Sequence, residues 1–109
     1  MHPKYFKDKI YGELEASCAY LKKAMDALKT HPEWGEKFKT MSDDRCKHAL
    51  SLYAMFMDLY KESKDQDTYI NSVRDSIIEG IATQSHILEG YKATYEVMSG
   101  TVGDGVWMK

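Results

Sequence analysis

Met41–Met57, MSDDRCKHALSLYAMFM, is the stretch on which the fold of this chain turns. As a helix it continues an apolar stripe that begins at Trp34, Phe38 and Met41 and resumes at Leu52, Met55 and Leu59, in alternating steps of four and three. The same steps through the middle fall on Arg45 and His48. A guanidinium is rarely buried without a partner, because it loses its hydration and gains nothing in return. The stripe therefore predicts that a polar group on a facing helix answers Arg45.

On the N-terminal side, Pro3 suits a first helical turn, and a helical period runs from Tyr5 to about Lys29. Its stripe is Phe6, Ile10, Glu13, Ser17, Tyr20, Ala24 and Ala27, widened by Leu14, Leu21 and Leu28. Thr30-His31-Pro32-Glu33 breaks the pattern and offers a Thr-x-x-Glu cap to the next helix. That second helix is expected from about Glu33 to Glu62, with a kink or restart near Gly35 or Ser42. Lys61–Asp67 reads as a polar connection in which Asp65 or Asp67 caps a third helix. The third helix carries Ile70, Val73, Ile77, Ile81, Gln84, Leu88, Tyr91, Tyr95 and Met98 on one face, with Glu79 and His86 on the solvated side. Ser99-Gly100 is expected to stop it. The predicted organisation is one all-α domain, 1–98, of three long antiparallel helices, and a short flexible tail, 99–109, presenting Val106 and Trp107 as an interaction element.

Composition narrows the classes. A chain of 109 residues suits one domain, and 43% hydrophobic residues with only seven Gly and two Pro is not a disordered composition. A net charge of −2 gives no electrostatic reason to expect nucleic acid or an anionic membrane as partner. No apolar run approaches the ~20 residues that span a bilayer. The opening MHPKYFKDKIYGE lacks the apolar stretch of a signal peptide, and Cys18 and Cys46 read as two ordinary thiols of a reduced, cytoplasmic setting. No Ser/His/Asp arrangement, phosphate loop, CxxC or HExxH points to an enzyme.

In an antiparallel hairpin, residues equally far from the turn face each other. With turns near residues 30–31 and 64–65, Glu13 lies at the level of 45–48, and Arg45 at the level of Gln84. Glu13, Arg45, His48 and Gln84 are thus expected to form one polar layer inside an apolar interior, with the Tyr20 and Tyr91 hydroxyls pointing towards it from two turns away. In this layer Arg45 pairs with Glu13, and its removal is expected to be strongly destabilising.

Glu13 and Tyr20 in YGELEASCAYLKKA, His48 in DDRCKHALSLYAMF, and the internal echo of Ile10, Glu13 and Tyr20 in Ile81, Gln84 and Tyr91 resemble the ferritin-like and rubrerythrin-like di-iron proteins. The resemblance covers roughly residues 5–98. It implies a bundle whose metal-binding layer would draw on Glu13, His48 and, at the edge, Asp44, with iron as the cofactor. Three departures separate this chain from that pattern. Arg45 stands where the Glu of Glu-x-x-His belongs, Gln84 replaces the third-helix Glu, and residues 99–109 are too few for a fourth helix. The resemblance therefore implies a ferritin-like bundle that lacks the fourth helix and has lost its metal. Changing both Arg45 and Gln84 to Glu is expected to rebuild the layer.

Three functions follow as expectations. The first is a non-catalytic protein acting through protein–protein interaction or as a scaffold, with no cofactor and a partner the sequence does not name. The second is a ferritin-like metal-binding or oxidoreductase protein with a site assembled across a dimer. The third is a small-ligand-binding bundle. A homodimer is expected because three helices leave the stripes open on one side, and Ile78 and Ala82 suggest a second apolar face on the third helix.

Overall fold

The computed structural model describes residues 2–61 and 68–104, with side chains described up to residue 100. Three helices account for nearly all of it, and no strand occurs among the described residues: α1 (Pro3–Ala27), α2 (Pro32–Tyr60) and α3 (Thr68–Asp104). The molecule is a rod of 60 × 22 × 16 Å. α1 is the central element, with α2 antiparallel along one face and α3 along a neighbouring one. α2 and α3 meet chiefly through long side chains: Lys92 reaches Asp43 at 3.5 Å, Tyr95 donates to Glu36 at 3.2 Å, and Arg74 donates to the Tyr60 carbonyl at 3.5 Å.

Local chemistry sets most of the boundaries. His2 caps α1 by accepting from the Lys4 amide at 3.2 Å, and Pro3 occupies the first turn, where no amide is needed. α2 likewise has Pro32 in its first turn, but the His31 side chain makes no cap bond and instead stacks on Trp34 at 3.9 Å. The expected Thr30-x-x-Glu33 cap does not form. The Thr30 amide is still bonded to the Ala27 carbonyl at 3.1 Å, so Thr30 belongs to the last turn of α1, and its hydroxyl meets His31 instead. Nor is α2 kinked at Gly35 or Ser42; it is continuous because both positions are packed against α1. α3 does not stop at Ser99-Gly100. Gly100 keeps the helical conformation, and a glycine ends a helix only where it turns left-handed. The 99–109 tail thus begins as helix through Asp104; Val106 and Trp107, like Asp65 and Asp67, lie outside the described residues.

The core has two parts. Phe6, Ile10 and Leu14 of α1 meet Ala49 and Phe56 of α2 and Ile70, Val73 and Ile77 of α3, with the Phe6 and Phe56 rings edge-to-face at 6.0 Å. The other cluster joins Cys18, Leu21, Ala24 and Leu28 to Leu88 and Tyr95. Between them sits a buried polar pair, Ser17 and Ser42. The Ser17 hydroxyl donates to the Ser42 carbonyl at 2.8 Å and lies 3.0 Å from its hydroxyl. On α2 the buried line is Gly35, Ser42, Ala49 and Phe56, one residue later at every step than the stripe Trp34, Met41, His48 and Met55. The helix is therefore turned by about 100° from the orientation the large apolar residues suggest. Small side chains face α1 because they let the two backbones come close.

Glycines test this packing. A Cβ at Gly80 would collide with the Tyr11 ring, whose hydroxyl is fixed by a 2.6 Å bond to the Ser76 carbonyl, whereas a Cβ at Gly90 would meet nothing. Gly90→Ala is expected to gain up to ~1 kcal/mol through helix propensity. Gly80→Ala is expected to lose about 1–3 kcal/mol through overpacking despite the same propensity gain. Urea unfolding of the two variants checks the opposite signs. In the same assay Ser17→Ala and Ser42→Ala should each cost about 1–2 kcal/mol, and the double variant less than their sum, because removing both hydroxyls strands neither.

Candidate functional site

The polar residues singled out in the sequence divide between two sides of α1. On the α2 side, Arg45 Nη1 donates to both Glu13 carboxylate oxygens, at 3.2 and 3.3 Å, and His48 Nδ1 lies 3.5 Å from Glu13 Oε2. Arg45 also hydrogen-bonds Tyr20, whose ring stacks on Phe38 at 6.4 Å. The Glu13 hydrogen bond and charge hold the Arg45 guanidinium above its already high range, with Tyr20 adding to them. This cluster is not an interior layer. The side chains of Arg45 and His48 are 42% and 60% exposed, and only Glu13, at 19%, is well covered. The reason is the rotation of α2, which turns positions 45 and 48 towards the outer edge of the α1–α2 seam. Loss of Arg45 is accordingly expected to cost little, in place of the strong destabilisation expected of an interior pair, since water can reach the rim it occupies.

Gln84 and Tyr91 are on the other side. Gln84 Oε1 accepts from Cys18 Sγ at 3.4 Å across the α1–α3 seam, and the Lys22 ammonium lies over the Tyr91 ring at 5.3 Å. Equal heights along the rod do not bring Gln84 to Arg45, because they meet different faces of α1, at Cys18 and Glu13 respectively. The expected rescue by Gln84→Glu therefore has no geometric basis. Ser17 and Ser42, the pair that is actually buried, carry the polar layer of the core. Ser17 stood on the α1 stripe, but only the seven-residue spacing of Gly35, Ser42 and Ala49 could have pointed to Ser42.

The donor set does not fit a di-iron centre. Such a centre needs about four carboxylates and two histidines, because hard cations favour charged oxygen ligands. Here Glu13 and His48 are the pair in contact, both Glu13 oxygens are engaged by a guanidinium, and Asp44 lines the neighbouring cleft with Tyr20, Met41, Arg45 and His48. Among the described residues no three His, Cys, Asp or Glu side chains converge.

Open clefts line both seams. On the α1–α3 side, one of about 320 Å³ is bordered by Tyr11, Glu15, Glu79 and Gln84. On the α1–α2 side, one of about 360 Å³ runs from Tyr5 and Lys9 past Glu13 and His48 to Met55. The α2 edge of this second groove is His48, Ser51, Leu52 and Met55, and further large apolar residues of α2 are exposed beyond its ends. Trp34, Met41, Met55 and Leu59 are 48, 42, 50 and 56% exposed.

Both cysteines are free. Burial pushes the Cys18 thiol up, Lys22 opposes this in part, and Cys46 adds to it. Burial and the neighbouring Glu36 likewise raise the Tyr95 hydroxyl. A group whose folded pKa is raised favours the fold fully below its unfolded value and loses that contribution as pH rises through the folded one. Their ordinary values are 9.0 and 10.0, so the urea midpoint is expected to fall as pH climbs above 9.0, and to fall less in a Cys18→Ala/Tyr95→Phe variant. In brief alkylation near neutral pH followed by peptide mass analysis, the half-buried Cys46 should label before the buried Cys18.

Comparison with models of known protein families, with characterised proteins and with solved structures finds no match to this chain.

Proposed function

We propose that this chain is a non-catalytic helical-bundle protein that acts by protein–protein association, with the α1–α2 groove as its working surface. One observation carries the proposal. Trp34 and Met41, then Met55 and Leu59, form two exposed apolar wings on one line of α2, beside a core that is already closed by Gly35, Ser42, Ala49 and Phe56. Large apolar side chains aligned along one face of a helix, with the charged Glu13–Arg45–His48 cluster at their middle, have the make-up of a recognition surface. On this reading the ferritin-like plan has given up its metal layer, and Arg45 stands where a bridging carboxylate would be. Nothing in the described bundle is apolar enough to cross a membrane as a helix.

The metal-binding alternative predicts bound iron, and charge accounting opposes it. Glu13 is already countered by Arg45, so a divalent ion would meet a guanidinium in a partly dehydrated groove, where like charges repel. Protein purified without chelator is expected to carry no stoichiometric iron, manganese or zinc by elemental analysis. One metal ion or more per chain would promote the alternative.

The association surface itself can be mapped in cells. A benzophenone amino acid placed at Met55 should give covalent protein adducts on illumination, and the same group at His86 on the far face of α3 should give few. Equal yields at the two positions would remove the case for this groove.

A further inference from the structure

The outer line of α2 has an internal symmetry. Its positions are Trp34, Phe38, Met41, Arg45, His48, Leu52, Met55 and Leu59, with the two polar residues at the centre and three apolar ones on each side. We propose that the occupant of this face is a second copy of the chain, its α2 lying antiparallel to the first about a two-fold axis that passes between Cys46 and Lys47. This rests on the reading of the α1–α2 groove as the working surface, and it names the partner.

Reversing the direction of one α2 against the other pairs Trp34 with Leu59 of the second copy, Phe38 with Met55, Met41 with Leu52, and Arg45 with His48. Apolar residues meet apolar residues on both wings, and the polar interruption meets itself. The steps of four and three keep this seam on the partner over the whole helix. The flanking charges agree. On the solvent side of the seam, Lys37 of one copy falls within two residues, about 3 Å, of the level of Asp58 of the other, and Asp44 within two residues of Ser51, twice each by symmetry. All four of these side chains except the Ser51 hydroxyl are charged, and all are exposed. A parallel arrangement would instead set Lys37 on Lys37, Arg45 on Arg45 and Asp58 on Asp58. The two Arg45 side chains near the axis bring little net repulsion, because each is held by its own Glu13 at 3.2–3.3 Å.

The third helix offers no such seam. Its exposed large apolar residues are Tyr69, Ile78, Ile87 and Val97; Ile78 lies opposite Tyr69 and Ile87, which are 18 positions apart, and Val97 stands about 80° round from Ile87. Trp34, Met41 and Met55 recur at multiples of seven and stay in line. The open face suggested by Ile78 and Ala82 is therefore not the one that a second copy would take.

Sedimentation of the purified protein at tens of micromolar should give a dimer of the 12.6 kDa chain. A benzophenone amino acid at Trp34, in a mixture of isotopically heavy and light chains, should crosslink heavy to light at residues near Leu59. Met41→Glu combined with Met55→Glu alters only exposed positions, so it should yield a monomer with unchanged helical circular dichroism. Lys37→Asp alone should weaken the dimer about tenfold, and adding Asp58→Lys should restore most of that loss. A monomer at these concentrations overturns the proposal, as does a dimer whose crosslinks join Trp34 to Trp34 or run to α3. The Met55 adducts found in cells then separate the two failures. Adducts to other proteins leave the surface standing with a different partner, and their absence removes it.

Discussion

The close approach of α2 to α1 is the constraint on which the other features depend. Gly35, Ser42 and Ala49 present almost no side-chain volume to α1, and at Gly35 the neighbouring atoms are Tyr95 Oη, Leu28 Cδ2 and the Ala24 carbonyl within 3.0–3.3 Å of where a Cβ would stand. Larger residues along this line would push the helices apart and open the core around Phe6 and Phe56. Ser42 is tolerated at the dry centre of the seam because its carbonyl and hydroxyl both face the Ser17 hydroxyl.

Once α2 is seated on its small residues, the rest of its surface is fixed in direction. The line one residue earlier must face outward along the groove, which exposes Trp34, Met41 and Met55 and brings Arg45 and His48 to the rim beside Glu13. The ion pair is thus a consequence of the packing and not its cause. It sits where water can reach both partners, so it contributes more to the character of the surface than to stability.

The three helices were legible because long 3.6-residue periods are separated by Pro32 and by the polar run after Tyr60. The Glu13–Arg45 contact was legible too, since both residues interrupt a stripe at matching distances from a short turn. What height along a hairpin does not convey is the angle around it. Gln84 stands level with Arg45 yet faces Cys18, because α3 packs on a different face of α1 from the one that carries Glu13. The rotation of α2 was hidden for a related reason. Apolar periodicity weights each position by hydrophobicity, and a contact line built from Gly, Ser and Ala scores as neutral although it is the most buried line on the helix. The end of α3 was missed because Ser99-Gly100 resembles a stop signal, while a stop needs a left-handed residue that Gly100 does not supply.

A helix with two adjacent seams reconciles these observations. The line of small residues makes the intramolecular contact, and the line of large ones, about 100° away, remains open. Two such lines produce a single blurred apolar face in the sequence, and the larger residues dominate it. α3 packs on α1 and reaches α2 through Lys92 and Tyr95, and it leaves the outer line of α2 exposed. In the proposed association the cover comes from beyond the described bundle. It must also accept a charged cluster at its own midpoint, flanked by apolar residues on either side. An arbitrary apolar helix fails that requirement, since it would leave the Arg45 guanidinium facing hydrocarbon. In the proposed dimer a second α2, running the other way, brings its own His48 and Arg45 to the same level, which would meet that requirement.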